Sequence, residues 1–155
     1  MIEVEVEADD WAAALPEAER VVSIAGQAAL DQIAPTDDGS EPVAVVLLTG
    51  DDEVAELNER FRSKAGPTNV LSFPAPANPE GLIGDVALAY GVCAREAAEQ
   101  GKTLQQHLQH LVVHGVLHLL GYDHETDGEA EAMEALERSI LESLGVPDPY
   151  AVEHG

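Results

Sequence analysis

Three histidines in this chain have the spacing a metal ion would need: His114, His118 and His124, in the run HGVLHLLGYDH. Residues four apart on a helix share a face, with Cβ atoms roughly 5–6 Å apart, so the His114 and His118 imidazoles can converge on one ion. Gly121 can take a positive φ at the helix end and reverse the chain, which brings His124 back toward the pair. Three neutral imidazoles with a fourth position open are the donor set of a catalytic zinc rather than a structural one. The expectation is one Zn2+ per chain and hydrolysis of a substrate bond. Such an ion lowers the pKa of its water to roughly 7 and polarises the bond under attack. Three imidazoles also suit nickel or copper, so these residues alone leave the metal open.

His107 and His110 precede the motif by helical spacing, so histidines are not rare in this segment. Buried imidazoles need hydrogen-bond partners or a metal, and ordinary hydrogen bonding is the expectation for His107, His110 and His154. The His-x3-His-x2-Gly-x2-His spacing also matches the long zinc motif of metzincin peptidases, where a Glu after the first His is the general base. Here that position is Gly115, which has no side chain to take a proton. The segment therefore reads as a zincin-like helix without the peptidase base. Asp85 and Asp123 are candidates for a base, each with a structural alternative. Asp123 would orient a ligand imidazole by a hydrogen bond to the ring nitrogen that does not face the metal, and Asp85 would support the segment Thr68–Phe73 by hydrogen bonds.

The elements that must hold these groups can be read from periodicity and punctuation. Thr103 and Gln106 form a capping-box pair that starts a helix reaching Leu120 and stopping at Gly121. Its leucines and valines lie almost all round it, which predicts burial. Thr126 and Glu129 repeat the capping signature for a last helix ending before Gly145. Upstream, residues 2–7 alternate apolar and acidic, as a half-buried strand does. Pro16 opens a helix to about Ile33, and 34–42 (APTDDGSEP) is a loop. Val43–Leu48 is a buried strand, followed by a helix capped by Asp51 or Asp52 and running to about Phe61. Val70–Phe73 is a short strand kept near an edge by its flanking prolines, and Leu82–Tyr90 is another, with Gly84 allowing close backbone approach. A short helix then stops at Gly101. The result is a single α+β domain over 1–155, with about four strands in a mixed sheet and about five helices.

Composition bounds the partners. Seven Lys+Arg against thirty Asp+Glu give a net charge of −23, which repels polyanions at long range. Three of the seven cations, Arg60, Arg62 and Lys64, nevertheless fall within one short stretch, so one local cationic spot is expected. No apolar run is long enough to span a membrane, and the acidic start MIEVEVEADD is unlike a secretory leader. The single Cys93 forms no intrachain disulfide and reads as a small buried hydrophobe. A cytoplasmic protein fits these features.

The blocks HGVLHLLGYDH (114–124), TNVLSFP (68–74) and IGDVAL (83–88) together resemble the YbeY family of bacterial metal-dependent endoribonucleases and ribosomal-RNA maturation factors. The resemblance runs from about Val43 to Tyr150. It implies that His114, His118 and His124 bind zinc, and that Arg62, six residues before Thr68, contacts the RNA phosphate. Arg60 and Lys64 would flank that contact. It implies single-strand endoribonuclease activity in 3′-end maturation of small-subunit ribosomal RNA and in ribosome quality control. The implied partners are the small ribosomal subunit, a small-subunit ribosomal protein and the GTPase Era. Two other readings stand beside it: a zinc metallopeptidase-like hydrolase, disfavoured by Gly115, and a non-catalytic ribosome-assembly factor whose zinc is structural. Thr68, Asn69 and Ser72 read as structural residues whose polar groups could also line an RNA groove.

Overall fold

The alternating start Ile2–Val6 forms β1, with Ile2, Val4 and Val6 turned inward and Glu3 and Glu5 exposed. β2 (Val43–Thr49) and β4 (Leu82–Ala89) are more apolar because they lie inside the sheet, whereas β3 (Val70–Pro74) takes an edge. The strand order is β1-β2-β4-β3; β1, β2 and β4 are parallel and β3 is antiparallel to β4. Prolines are tolerated at an edge because no ladder hydrogen bond is lost there. The computed structural model describes residues 2–32, 42–62, 68–76, 81–122 and 126–146.

Among the described residues six helices accompany the strands: α1 (Asp9–Ala14) and α2 (Ala18–Leu30) between β1 and β2, α3 (Asp51–Arg62) between β2 and β3, and α4 (Tyr90–Glu99), α5 (Leu104–Leu119) and α6 (Asp127–Ser143) after β4. The molecule is thus a single α+β domain with a four-stranded mixed sheet. The sixth helix is α1, which is too short for its periodicity to show. It is anchored by Trp11, which is fully buried, donates from Nε1 to Thr49 O at 2.9 Å and meets Tyr90 edge-on at 5.3 Å.

Alternation along the strands divides the apolar side chains between two faces. Ala44, Val46, Leu48, Val86 and Leu88 join α2, α5 and α6 in the main core. Leu71, Ala87 and Ala89, with Leu47 and Phe73 at the margin, pack with Val54 of α3 and Val92 of α4 in a smaller one. α5 is the buried helix its composition predicts, lying against α2, α6 and strands β3 and β4. Among the described residues, no helix is long and apolar enough to cross a membrane.

Capping chemistry sets the ends of α5. Thr103 Oγ1 accepts from Gln106 N at 3.1 Å, and Gln106 Oε1 accepts from Thr103 N at 3.2 Å. At the other end, Gly121 has φ +99°, and the backbone N–H of Tyr122 returns to Leu117 O at 3.1 Å. Thr126 caps α6 by accepting from Glu129 N at 3.1 Å. Asp51 departs from its expected role as the cap of α3: it is the first residue of that helix, and its Oδ1 accepts from Val92 N at the start of α4.

Candidate metal centre

α5 projects His110, His114 and His118 in a row, one turn apart, and α6 lies beside them. The His114 and His118 rings meet edge to face with centroids 4.6 Å apart, and their Nε2 atoms are 3.1 Å apart. Two zinc–nitrogen bonds of the usual length, at a tetrahedral angle, would set such atoms about 3.3 Å apart. The pair therefore fits one ion with little adjustment.

The opposite edge of His114 is occupied. Its Nδ1 contacts Oε1 of Glu137, and Oε2 of the same carboxylate lies 3.3 Å from His110 Nε2. Glu137 is fully buried. His110, His114 and Glu137 could themselves hold a metal, since one ligand atom from each lies within 4.8 Å of the others. Two donor sets thus share His114.

Glu137 was not among the residues singled out from the sequence, whereas His110 makes the ordinary hydrogen bond expected of it, here to Glu137. A signal was present: Glu137 falls in the row Met133, Glu137, Ile140 and Leu141, where every other member is a buried apolar residue. A carboxylate in such a row calls for a strong partner.

His124 and Asp123 lie outside the described residues, as do Lys64 and His154. Arg62 ends α3, and its side chain is likewise outside them. Arg60 is on the surface and paired with Glu56 at 3.0 Å, one turn earlier in α3.

Asp85 is not brought to the histidines. It pairs in register with Phe73 and Val45, so it shares their sheet face. Val86, its neighbour, faces α5. Burial first, and then the charge of Glu5, raise the pKa of Asp85. In the segment 68–74, Asn69 holds Glu96 through Nδ2 at 3.0 Å and Val70 N through Oδ1 at 2.7 Å. Ser72 Oγ donates to Gly115 O at 3.2 Å. Both residues act as structural ties. Cys93 is fully buried with Sγ 3.5 Å from Asn69 O, and burial pushes its pKa up.

Gly115 is fixed by packing as well as by chemistry. A Cβ at this position would lie 2.7 Å from Val86 Cγ1 and 3.3 Å from Ser72 Oγ. The sheet fills the space that a glutamate would need, so the peptidase base is missing and has no room. Gly84 shows the same closeness from the sheet side, with φ +147° and a Cβ position 2.3 Å from Phe73 O.

Comparison with known proteins adds the chemistry. The Endoribonuclease YbeY family profile matches residues 5–145. A Rhodopseudomonas palustris protein called Endoribonuclease YbeY is 50% identical, over 96% of this chain and 80% of its own. One of the same name from Maricaulis maris is 47% identical, over 98% of this chain and 92% of its own. In fold, the chain is similar to a Thermotoga maritima protein solved in solution, with TM-score 0.55 and 23% identity over 98% of this chain and all of the other.

Proposed function

Because the chain belongs to the Endoribonuclease YbeY family, we propose that it cleaves single-stranded RNA with one zinc ion held by His114, His118 and His124. An endoribonuclease role and an RNA substrate come with the family; the metal, its ligands and the RNA target are our reading. The observation that carries it is the convergence of His114 Nε2 and His118 Nε2 at 3.1 Å. When bound, the ion would supply Lewis-acid polarisation of a phosphoryl oxygen and a water acidic enough to lose a proton at neutral pH.

The chain's own residues do the rest. His114 and His118 present lone pairs from one helix face, and His124 completes the set from beyond Gly121. Arg62 supplies a planar, permanent cation to the phosphate as its charge builds, with Arg60 and Lys64 beside it. The target is small-subunit ribosomal RNA, in 3′-end maturation and ribosome quality control in the cytoplasm. The net charge of −23 supports a role in which protein contacts bring the enzyme to its substrate. The small ribosomal subunit, one of its proteins and the GTPase Era fit as those contacts.

Elemental analysis and cleavage of a single-stranded RNA test the reading together. His114→Ala, His118→Ala and His124→Ala should each lose zinc and activity, whereas Arg62→Ala should keep zinc and lose most cleavage. Full zinc occupancy in two of the histidine variants would sink the metal site. Wild-type cleavage by Arg62→Ala would remove that residue's role.

A further inference from the structure

Glu137 is the one carboxylate in the buried row of α6, and both its oxygens are met from α5. A buried carboxylate is costly unless strong donors satisfy it. An ionised carboxylate only accepts, so the proton in its contact with His114 belongs on Nδ1 of the imidazole. That leaves Nε2 of His114 with a lone pair, and this atom faces His118 Nε2 at 3.1 Å.

We propose that Glu137 is a positioning residue of the metal centre. By holding the Nδ1 proton of His114 it fixes the tautomer and ring plane that present Nε2 to a divalent cation, and it ties the docking of α6 to occupancy of the site. This inference rests on the reading that His114 and His118 hold the metal. A carboxylate behind a ligand imidazole also makes that imidazole a stronger base, and losing such a partner typically weakens metal binding 10–100-fold. His110 serves the carboxylate. At 3.3 Å from Oε2, its Nε2 steadies the second oxygen and keeps Glu137 turned toward α5. The opposing arrangement, with His110, His114 and Glu137 as the ligands, would leave His118 outside.

The test uses the full chain with three measurements. These are zinc affinity by competition with a chromophoric chelator, melting temperature of the metal-free protein, and histidine nitrogen NMR, which reports the tautomer. Glu137→Leu should weaken zinc binding about 10–100-fold and shift metal-free His114 toward the Nε2–H form. Its metal-free melting temperature should hold or rise, because an apolar side chain removes the cost of burying a charge. Glu137→Gln should lose less affinity, since an amide oxygen can still accept from Nδ1–H but carries no charge. His110→Ala should change zinc affinity far less than Glu137→Leu does.

Unchanged zinc affinity and tautomer in Glu137→Leu, with a lower metal-free melting temperature, would mean a packing role only and overturn the proposal. If Glu137→Leu does not fold, unchanged affinity in Glu137→Gln overturns it equally. Zinc lost from Glu137→Leu and His110→Ala but retained by His118→Ala would make Glu137 a ligand and also overturn it. A wild-type chain that binds no zinc would remove the metal centre itself, and this inference with it. Zinc binding by wild type with no effect of either Glu137 variant would remove the inference alone.

Discussion

His107 and His114 stand two turns apart on the same helix, each beside a carboxylate, yet their surroundings differ. His107 is 3% exposed, with Nε2 2.9 Å from Glu96 Oε1 and a buried Nδ1 that has no hydrogen-bond partner among the described residues. Burial lowers its pKa below the ordinary 6.5, and Glu96 offsets this only in part. The unfolded chain therefore takes up a proton near pH 6.5 while the folded one waits for a lower pH. Between those two values the unfolded state holds more protons, so stability rises with pH and falls on acidification. Urea titrations at pH 7.5 and pH 5.5 should show this loss in wild type and less of it in His107→Gln. Equal losses in both proteins would place the acid sensitivity elsewhere. Gly115 gives a second residue-scale prediction. Alanine should favour the helix by about 1 kcal/mol, but its methyl would press on Val86 Cγ1 at 2.7 Å. Overpacking typically costs about 1–3 kcal/mol, so Gly115→Ala should lower the melting temperature. A rise would mean that Val86 yields freely.

At the scale of elements, α5 is held at both ends by local chemistry and along its length by burial. The capping box at Thr103 lies about three turns before His114, so its loss should be felt in stability and not at the metal. Thr103→Ala should cost about 1 kcal/mol with zinc affinity unchanged, as measured by chemical denaturation and chelator competition. A large fall in affinity would show that fraying at Leu104 reaches the histidines. Asp51 ties two elements, because its carboxylate on α3 accepts from the start of α4 at Val92. The same carboxylate crowds Gly91, where a Cβ would lie 2.4 Å from Asp51 Oδ2. Asp51 and Gly91 are thus one contact, and changing either should loosen α4 from α3.

For the whole molecule, charge and metal act on different observables. With three cations grouped in a chain of net charge −23, few counterions leave when free RNA binds. Three phosphate contacts imply a log–log salt slope of about −2 for a single strand. A steep slope, or nanomolar binding to naked RNA at physiological salt, would reveal a basic surface that this composition does not suggest. Metal acts on stability through mass action. Free zinc at a hundred times its dissociation constant should add about 2.7 kcal/mol, which for a domain of this size is a rise of about 5–10 °C in melting temperature. No rise in wild type would count against a folded-state site.

Local features determined much of this protein in advance. The spacing of His114 and His118, the cap at Thr103 and the reversal at Gly121 are set by residues a few positions apart, and the prolines around Val70–Phe73 and the glycine at 84 mark locally where an edge and a close approach are tolerated. Helical and strand periods and turn chemistry act over that range, so a linear reading reaches them. Contacts between distant segments had to wait for the tertiary structure. Twenty-three positions separate His114 from Glu137, and forty-one separate Asp51 from Val92. Which groups meet across such gaps is decided by how α6 settles on α5, and α4 on α3. The side of the sheet that Asp85 faces was decided in the same way. Its strand register sets it with Phe73 and Val45, on the face away from the histidines. The sequence held a hint of Glu137, a charge in an apolar row, but only helix-on-helix packing could say which imidazole it would serve.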